Sequence, residues 1–248
     1  MAAKREGGIF SRGKNRKRVS IIQSCYIPWL GFFDLISRCD EYIIYDQAAY
    51  RSHHWHNRNK IKTAQGPLWL NIPVTARLGQ PIEDIEVHKG WSRRHWRTIE
   101  QAYARARYFA RKRPSFQQIY EELSDENRLS AINERFIKAL AQTLELRCQI
   151  TRDRKYAAVG SRTERVVSIC LAAGATHYLT GPSARSYLDE RLFVEVGIEV
   201  EWMHYPVYSP YTQPHGPFVQ NLSILDVLFN CGPSSGEYLT AKLAYETA

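Results

Sequence analysis

Four stretches of this chain combine residue types that do chemistry. The first is Gln23-Ser24-Cys25-Tyr26-Ile27-Pro28-Trp29-Leu30-Gly31. Gln23 offers a donor and an acceptor, Tyr26 a hydroxyl, Pro28 a fixed φ, and Gly31 room for close approach. The second is Asp46, at the end of the apolar run Tyr42-Ile43-Ile44-Tyr45. A carboxylate there suits a general base, or a salt bridge to Arg58. The third is His53-His54-Trp55-His56-Asn57-Arg58-Asn59-Lys60. Its histidines lack HxxxH spacing and no acid or Cys completes a ligand set, so no metal site is expected. Arg58 and Lys60 suit an anion, since the Arg fork matches phosphate or carboxylate; Asn57 and Trp55 stand beside them. The fourth is Gly181-Pro182-Ser183-Ala184-Arg185. Small residues let backbone amides approach a phosphate, and Ser183 and Arg185 add donors. It lacks the terminal Lys-Ser/Thr of a Walker loop and the GxSxG of a nucleophile elbow.

Smaller candidates accompany these. His95, among Arg93, Arg94 and Arg97, is the natural second choice for a general acid or base near neutrality. Ser161 and Arg165 share a polar helical face. Ser161 reads as an anion-holding helix start or as a plain N-cap. Cys25 is the one cysteine on a candidate functional loop, and therefore the one thiol to test.

The elements that must position these groups are legible from pattern. Residues 19–23, 42–46, 176–180 and 199–202 are short apolar runs of the kind buried parallel strands have, and 148–150 is a fifth candidate. Residues 29–36, a segment from Ser92, a helix started by Pro114, residues 129–144, 161–173 closed by Gly174, 188–195, and 222–229 capped by Asn221 read as helices. Residues 55–74 read as an inserted β-hairpin, residues 82–87 as a further short strand, and 205–217 as a Pro- and Tyr-rich loop. The expectation is an α/β fold: one Rossmann-like domain with a mostly parallel sheet, flanking helices and that hairpin. Polar clusters at strand ends then converge on one cleft.

Composition sets the outer limits. The chain has 248 residues, 44% hydrophobic and 24% charged, the balance of a globular protein. No run of 18 apolar residues occurs, and the start lacks the apolar core of a secretory signal. Five scattered cysteines make no CxxC pair, which argues against a disulfide framework and for a reducing cytoplasm. The net charge is +9. Residues 1–18 hold seven Lys and Arg against Glu6, so the remaining 230 residues carry +3. Residues 1–18 read as a basic disordered tail and 19–248 as the domain. Beyond contact through that tail, a nucleic-acid partner is not expected.

The ordered blocks resemble a known family. Residues 23–33 with 42–46, then Trp55-His56-Asn57-Arg58-Asn59-Lys60-Ile61-Lys62 with Trp69 and Ile72-Pro73-Val74, are similar to the opening of WbqC-like proteins. So are Tyr178-Leu179-Thr180-Gly181-Pro182-Ser183-Ala184, Gly197-Ile198 and the closing 222–230. Ser24-Cys25 departs from the Gln-Pro start common there. The resemblance implies O-antigen and surface-polysaccharide biosynthesis, with an acyl or aminoacyl group moved to an amino-sugar nucleotide. The expected partners are a nucleotide-sugar or similar anion and an acyl-thioester carrier. A fainter likeness links residues 28–40 and the 181–185 loop to HIGH-type nucleotidyltransferases and pantothenate-synthetase-like ligases, without their histidines. An ATP-using ligase or nucleotidyltransferase is therefore the alternative enzyme. A non-catalytic regulatory or nucleic-acid-binding protein is the alternative of another class.

Overall fold

The computed structural model describes residues 16–239. Residues 1–15, most of the basic tail, lie outside the described residues.

The chain opens with β1 (Arg18–Ile22), α1 (Leu30–Ser37) and β2 (Glu41–Ile44). A hairpin of β3 (Arg58–Thr63) and β4 (Gly66–Asn71) follows, then the two-residue strands β5 (Val74–Thr75) and β6 (Glu86–Val87). Three helices come next: α2 (Trp91–Tyr103), α3 (Phe109–Glu122) and α4 (Leu129–Thr143). The chain then returns through β7 (Gln149–Arg152), α5 (Arg162–Ala172), β8 (His177–Thr180), α6 (Arg191–Val194), β9 (Glu199–Trp202) and α7 (Ile224–Cys231).

Five strands form one sheet in the order β7-β2-β1-β8-β9. Every pairing is parallel, as the short apolar runs implied. Alternation within the strands feeds two cores. Val19, Ile21 and Ile43 pack with Val167, Ile169 and Cys170 of α5 on one face. Tyr42 and Ile44 turn to the other face, where α1, α2, α3, α4 and α7 build the larger core.

Several sequence expectations need adjustment. Residues 82–87 are not one strand: a 3-10 turn spans Ile82–Asp84 before β6. Ile82 and Ile85 are both fully buried, a spacing of three that one helical turn satisfies and strict alternation does not. Pro114 does not start α3 but sits inside it. The cap of α7 is Ser223, whose hydroxyl accepts the Leu225 N–H at 3.3 Å, rather than Asn221. The helix expected over 188–195 is only the single turn of α6. The hairpin is no embellishment. Ile61 and Leu70 are buried in the larger core, and the Lys62 N–H donates to the Tyr103 hydroxyl of α2.

Candidate functional site

The strand order places a switch point between β1 and β8. From β1 the chain winds outward through β2 to β7, then returns to β8 and winds the other way to β9. In open parallel sheets the crevice beyond the strand ends at such a point is where ligands bind. Here the loop of residues 23–29 leaves β1, and Gly181 leaves β8.

The β1 loop is held by an unusual density of buried polar groups. Its Ser24 N–H donates to the Asp46 carboxylate at 2.8 Å. The Ser24 carbonyl accepts from His56 Nδ1 at 3.1 Å. Asn133 Nδ2 donates to Ser24 Oγ and to the His56 carbonyl, both at 2.9 Å. The Ile27 carbonyl accepts from Asn59 Nδ2 at 2.9 Å and from Ser223 Oγ at 2.8 Å. The Pro28 carbonyl takes the Ile224 N–H at 2.8 Å. All five clamping side chains, Asp46, His56, Asn59, Asn133 and Ser223, are buried. What they hold is strained. Ile27, β-branched, has φ of 36°, a left-handed value disfavoured for such a residue.

Asp46 and His95, the sequence candidates for a general base, serve in this scaffold. Asp46 accepts from the Ser24 N–H and from the Ser130 hydroxyl. Burial raises its pKa, and those hydrogen bonds offset part of the rise. It makes no salt bridge to Arg58; the Arg58 guanidinium lies over the Trp69 ring at 4.5 Å instead. His95 lies inside the helical core. Its Nε2 donates to the Asn71 carbonyl at 3.2 Å, so Nδ1 accepts from the Tyr26 hydroxyl at 2.8 Å. Tyr26 in turn meets Tyr120 at 2.7 Å. Burial pushes the His95 pKa down to about 4, so the ring is neutral at pH 7. The Cys25 thiol is pushed up to about 12 by burial and then by the Asp46 charge, so little thiolate exists at neutrality.

The open walls of the crevice are aromatic. Trp29 packs on Tyr205 at 5.2 Å and on Tyr208 at 6.1 Å between ring centroids. Tyr208 donates to Asp34 of α1 at 3.0 Å. A Cβ on Gly31 would lie 2.4 Å from the Trp29 indole, so this glycine is what lets the ring fold back over the start of α1. A Cβ on Gly181 would sit 3.6 Å from the Tyr205 hydroxyl and 4.0 Å from Ser183 Oγ. Trp29 and the Gly181–Ser183 turn thus both neighbour Tyr205. Burial raises the Tyr205 phenol to about 12, with the Asp34 charge adding, so it remains a neutral donor. Gln23, half-buried at the end of β1, makes no side-chain hydrogen bond to the described residues.

The remaining sequence candidates are distributed around this centre. Asn57 is buried and braces the hairpin: it accepts from Tyr50 and donates to Asn71 and to the Ile72 carbonyl. Trp55 and Trp69, 40% and 42% exposed, pack at 5.3 Å beside Arg58 and Lys60. The Trp55 carbonyl accepts the Tyr26 N–H, which ties this platform to the β1 loop. Arg185 lies over Trp202 at 4.3 Å. The Ser161 N–H is taken by the Glu164 carboxylate at 3.3 Å in a capping box, which puts a negative charge where an anion was expected. Arg165 donates to Gln47 and to the Ala158 carbonyl, bracing the loop after β2. Among the described residues no group of three His, Cys, Asp or Glu is arranged to hold a metal ion.

Sequence reasoning missed a second buried cluster. Asp226 of α7 accepts from Tyr103 at 2.9 Å, and from Tyr211 and Gln213 at 2.7 Å each. Lys62 Nζ donates to Gln213 at 3.1 Å and to the Pro217 carbonyl at 2.6 Å. These bonds strap residues 205–221, which carry Tyr205, onto the hairpin and α7. No spacing marks this lysine: it follows Ile61 on β3, and both are buried although adjacent strand residues face opposite sides.

A family model described as the WbqC-like protein family matches residues 23–238. The chain belongs to the WbqC-like family. That span takes in the strained loop, the hairpin, the Gly181 turn and Asp226. The chain is also similar to an uncharacterized protein of Mycobacterium tuberculosis, Rv1507c: the two are 42% identical over 226 residues, covering 90% of this chain and 97% of that one. No solved structure matches.

Proposed function

We propose that this WbqC-like protein is a transferase of surface-polysaccharide assembly that moves an acyl or aminoacyl group onto an amino-sugar nucleotide held between β1 and β8. The observation that carries the reading is the strained β1 loop, fixed by five buried polar side chains at the switch point. Strain of this kind persists only where the surroundings over-determine it, and it gathers at ligand sites. In this reading the Gly181 amide, Ser183 and the Tyr205 hydroxyl receive the diphosphate, and Trp29 offers a ring face to base or sugar. Trp55, Arg58 and Lys60 extend the site along the hairpin, and Gln23 and Arg185 border it. Asp46, His95 and Tyr26 position the loop; they do not touch the reacting atoms. A protonated, half-buried Cys25 supports direct transfer from an acyl-thioester carrier in a ternary complex rather than an enzyme-bound thioester.

The test is binding. Nucleotide-sugars, ATP and coenzyme A thioesters are screened by thermal shift. A ligand at a hundred times its Kd stabilises by about 2.7 kcal/mol. Gly181→Val places methyl groups in the crevice without a backbone clash, and is expected to abolish the shift with the nucleotide-sugar while the fold remains. An undiminished shift in Gly181→Val, or a shift with ATP alone, argues for another site or for the ligase reading.

A further inference from the structure

The positive charge of this chain is concentrated in one place. Residues 89–113, which span α2, the link and the first turn of α3, hold nine Lys and Arg against the single acid Glu100; Glu121 and Glu122 at the far end of α3 bring the whole pair to +6. Residues 89–113 are +8, whereas the rest of the chain beyond residue 18 is net −5. Seven of the nine are arginines, suited to bidentate contact with phosphate. Among the described residues only Arg113 has an ion-pair partner, Glu100, and that bond ties α3 to α2. Arg93, Arg94 and Arg97 form one exposed stripe on α2, opposite buried Trp91, His95 and Ile99; Arg105 and Arg107 in the link and Arg111 at the start of α3 are exposed as well. Between α3 and the turn after α7 a cleft of about 410 Å³ opens, with Arg111 and Lys112 on its rim and Phe116 and Leu144 deeper.

We propose that the outer face of α2–α3 seats the protein on an anionic membrane surface, with arginines on lipid phosphates and one headgroup in the cleft. The chemistry of the face selects this partner. It exposes no large apolar or aromatic side chain. A protein partner is usually anchored by such residues, and a single strand of nucleic acid by stacking on them. Reading a duplex needs an element projecting into a groove, and these two helices lie packed side by side. A lipid surface needs only unpaired cations spread over an area. No described helix is long and apolar enough to cross a membrane, so the contact is peripheral. Burial and the neighbouring Arg111 lower the Lys112 pKa, and Glu145 is the one acid that lines the cleft with them.

The experiment is co-sedimentation of the full chain with phosphatidylglycerol/phosphatidylcholine vesicles, and with phosphatidylcholine alone, over a salt series. Two variants are compared: Arg93→Gln/Arg97→Gln/Arg105→Gln/Arg111→Gln, and Lys4→Gln/Arg5→Gln/Arg12→Gln/Lys14→Gln. The four helical arginines are exposed, so their substitution leaves folding nearly unchanged. The expected result is salt-sensitive binding to anionic vesicles only, weakened on the order of a hundredfold or more by the helical variant and much less by the N-terminal one. Equal binding to neutral vesicles would overturn the proposal, as would a helical variant that binds like wild type. Tighter binding to a DNA duplex or to polyglutamate than to vesicles, lost with the same four arginines, would overturn it in favour of that partner.

Discussion

Gly31 and Trp29 are coupled by hard contact, and that makes one atom decisive. In Gly31→Ala the new Cβ would meet the indole at 2.4 Å. Helix propensity favours alanine by about 1 kcal/mol. The clash opposes it by about 1–3 kcal/mol, so stability changes little or falls slightly. Trp29 leaves Tyr205, however, and the loss is expected in the near-ultraviolet circular dichroism and in the ligand-induced thermal shift. The Ile27 carbonyl provides a second test. Asn59 and Ser223 both donate to it. Either one replaced by alanine leaves one donor, whereas the double variant strands a buried carbonyl. A double-mutant cycle is expected to show about 1–3 kcal/mol beyond the sum of the singles. Acid provides a third. Burial holds His56 and His95 near pKa 4, below the usual 6.5. The unfolded chain therefore takes up these protons first, and the stability tied to each neutral ring is present above pH 6.5 and lost as pH falls toward 4. Each loses roughly 2 kcal/mol between pH 7 and pH 5. Asp46, raised by burial, has the opposite sign, so the comparison belongs within one site. Denaturant midpoints of His95→Gln are expected to fall less between pH 7 and pH 5 than those of the wild type.

Among the elements, the strap over residues 205–221 depends on β3 of the hairpin. Lys62→Met removes both bonds from Nζ and a compensating charge beside Asp226. Each hydrogen bond from a charged donor is worth about 1.5–3 kcal/mol. Limited proteolysis is expected to cut first within 205–217 in this variant, and Tyr205 is lost from the crevice with the strap. The central strands were readable in the chain because buried parallel strands need short apolar runs, and Tyr42-Ile43-Ile44 and Tyr178-Leu179 can hardly be anything else. The helices of 91–103 and 129–143 were readable from spacing. The hairpin's depth was not, since Asn57, Asn59 and Lys62 look solvent-facing until one knows that Asn57 bonds to Asn71 and Ile72, that Asn59 shares the Ile27 carbonyl with Ser223, and that Lys62 reaches Gln213 and Pro217. Asp46 and His95 show the same blindness. Residue type marked them as bases, but whether a polar group faces a ligand or a backbone amide depends on tertiary partners. Tyr205 and Tyr208 were lost in a loop whose proline content gives no periodicity, although their aromatic density was visible.

At the scale of the whole molecule, the two cores meet at β1, which lies in the middle of the sheet although it stands first in the chain. Its neighbour β2 follows within about twenty residues, whereas β8 pairs Arg18 with His177. On a ribosome adding about 5–20 residues per second, one edge of β1 therefore waits on the order of ten to thirty seconds for its partner. Over that interval Val19 and Ile21 have no α5 to cover them, and half of the backbone ladder is open to any other nascent strand. The order of synthesis and the order of the sheet thus disagree, and folding before release must protect an edge that the finished protein does not possess.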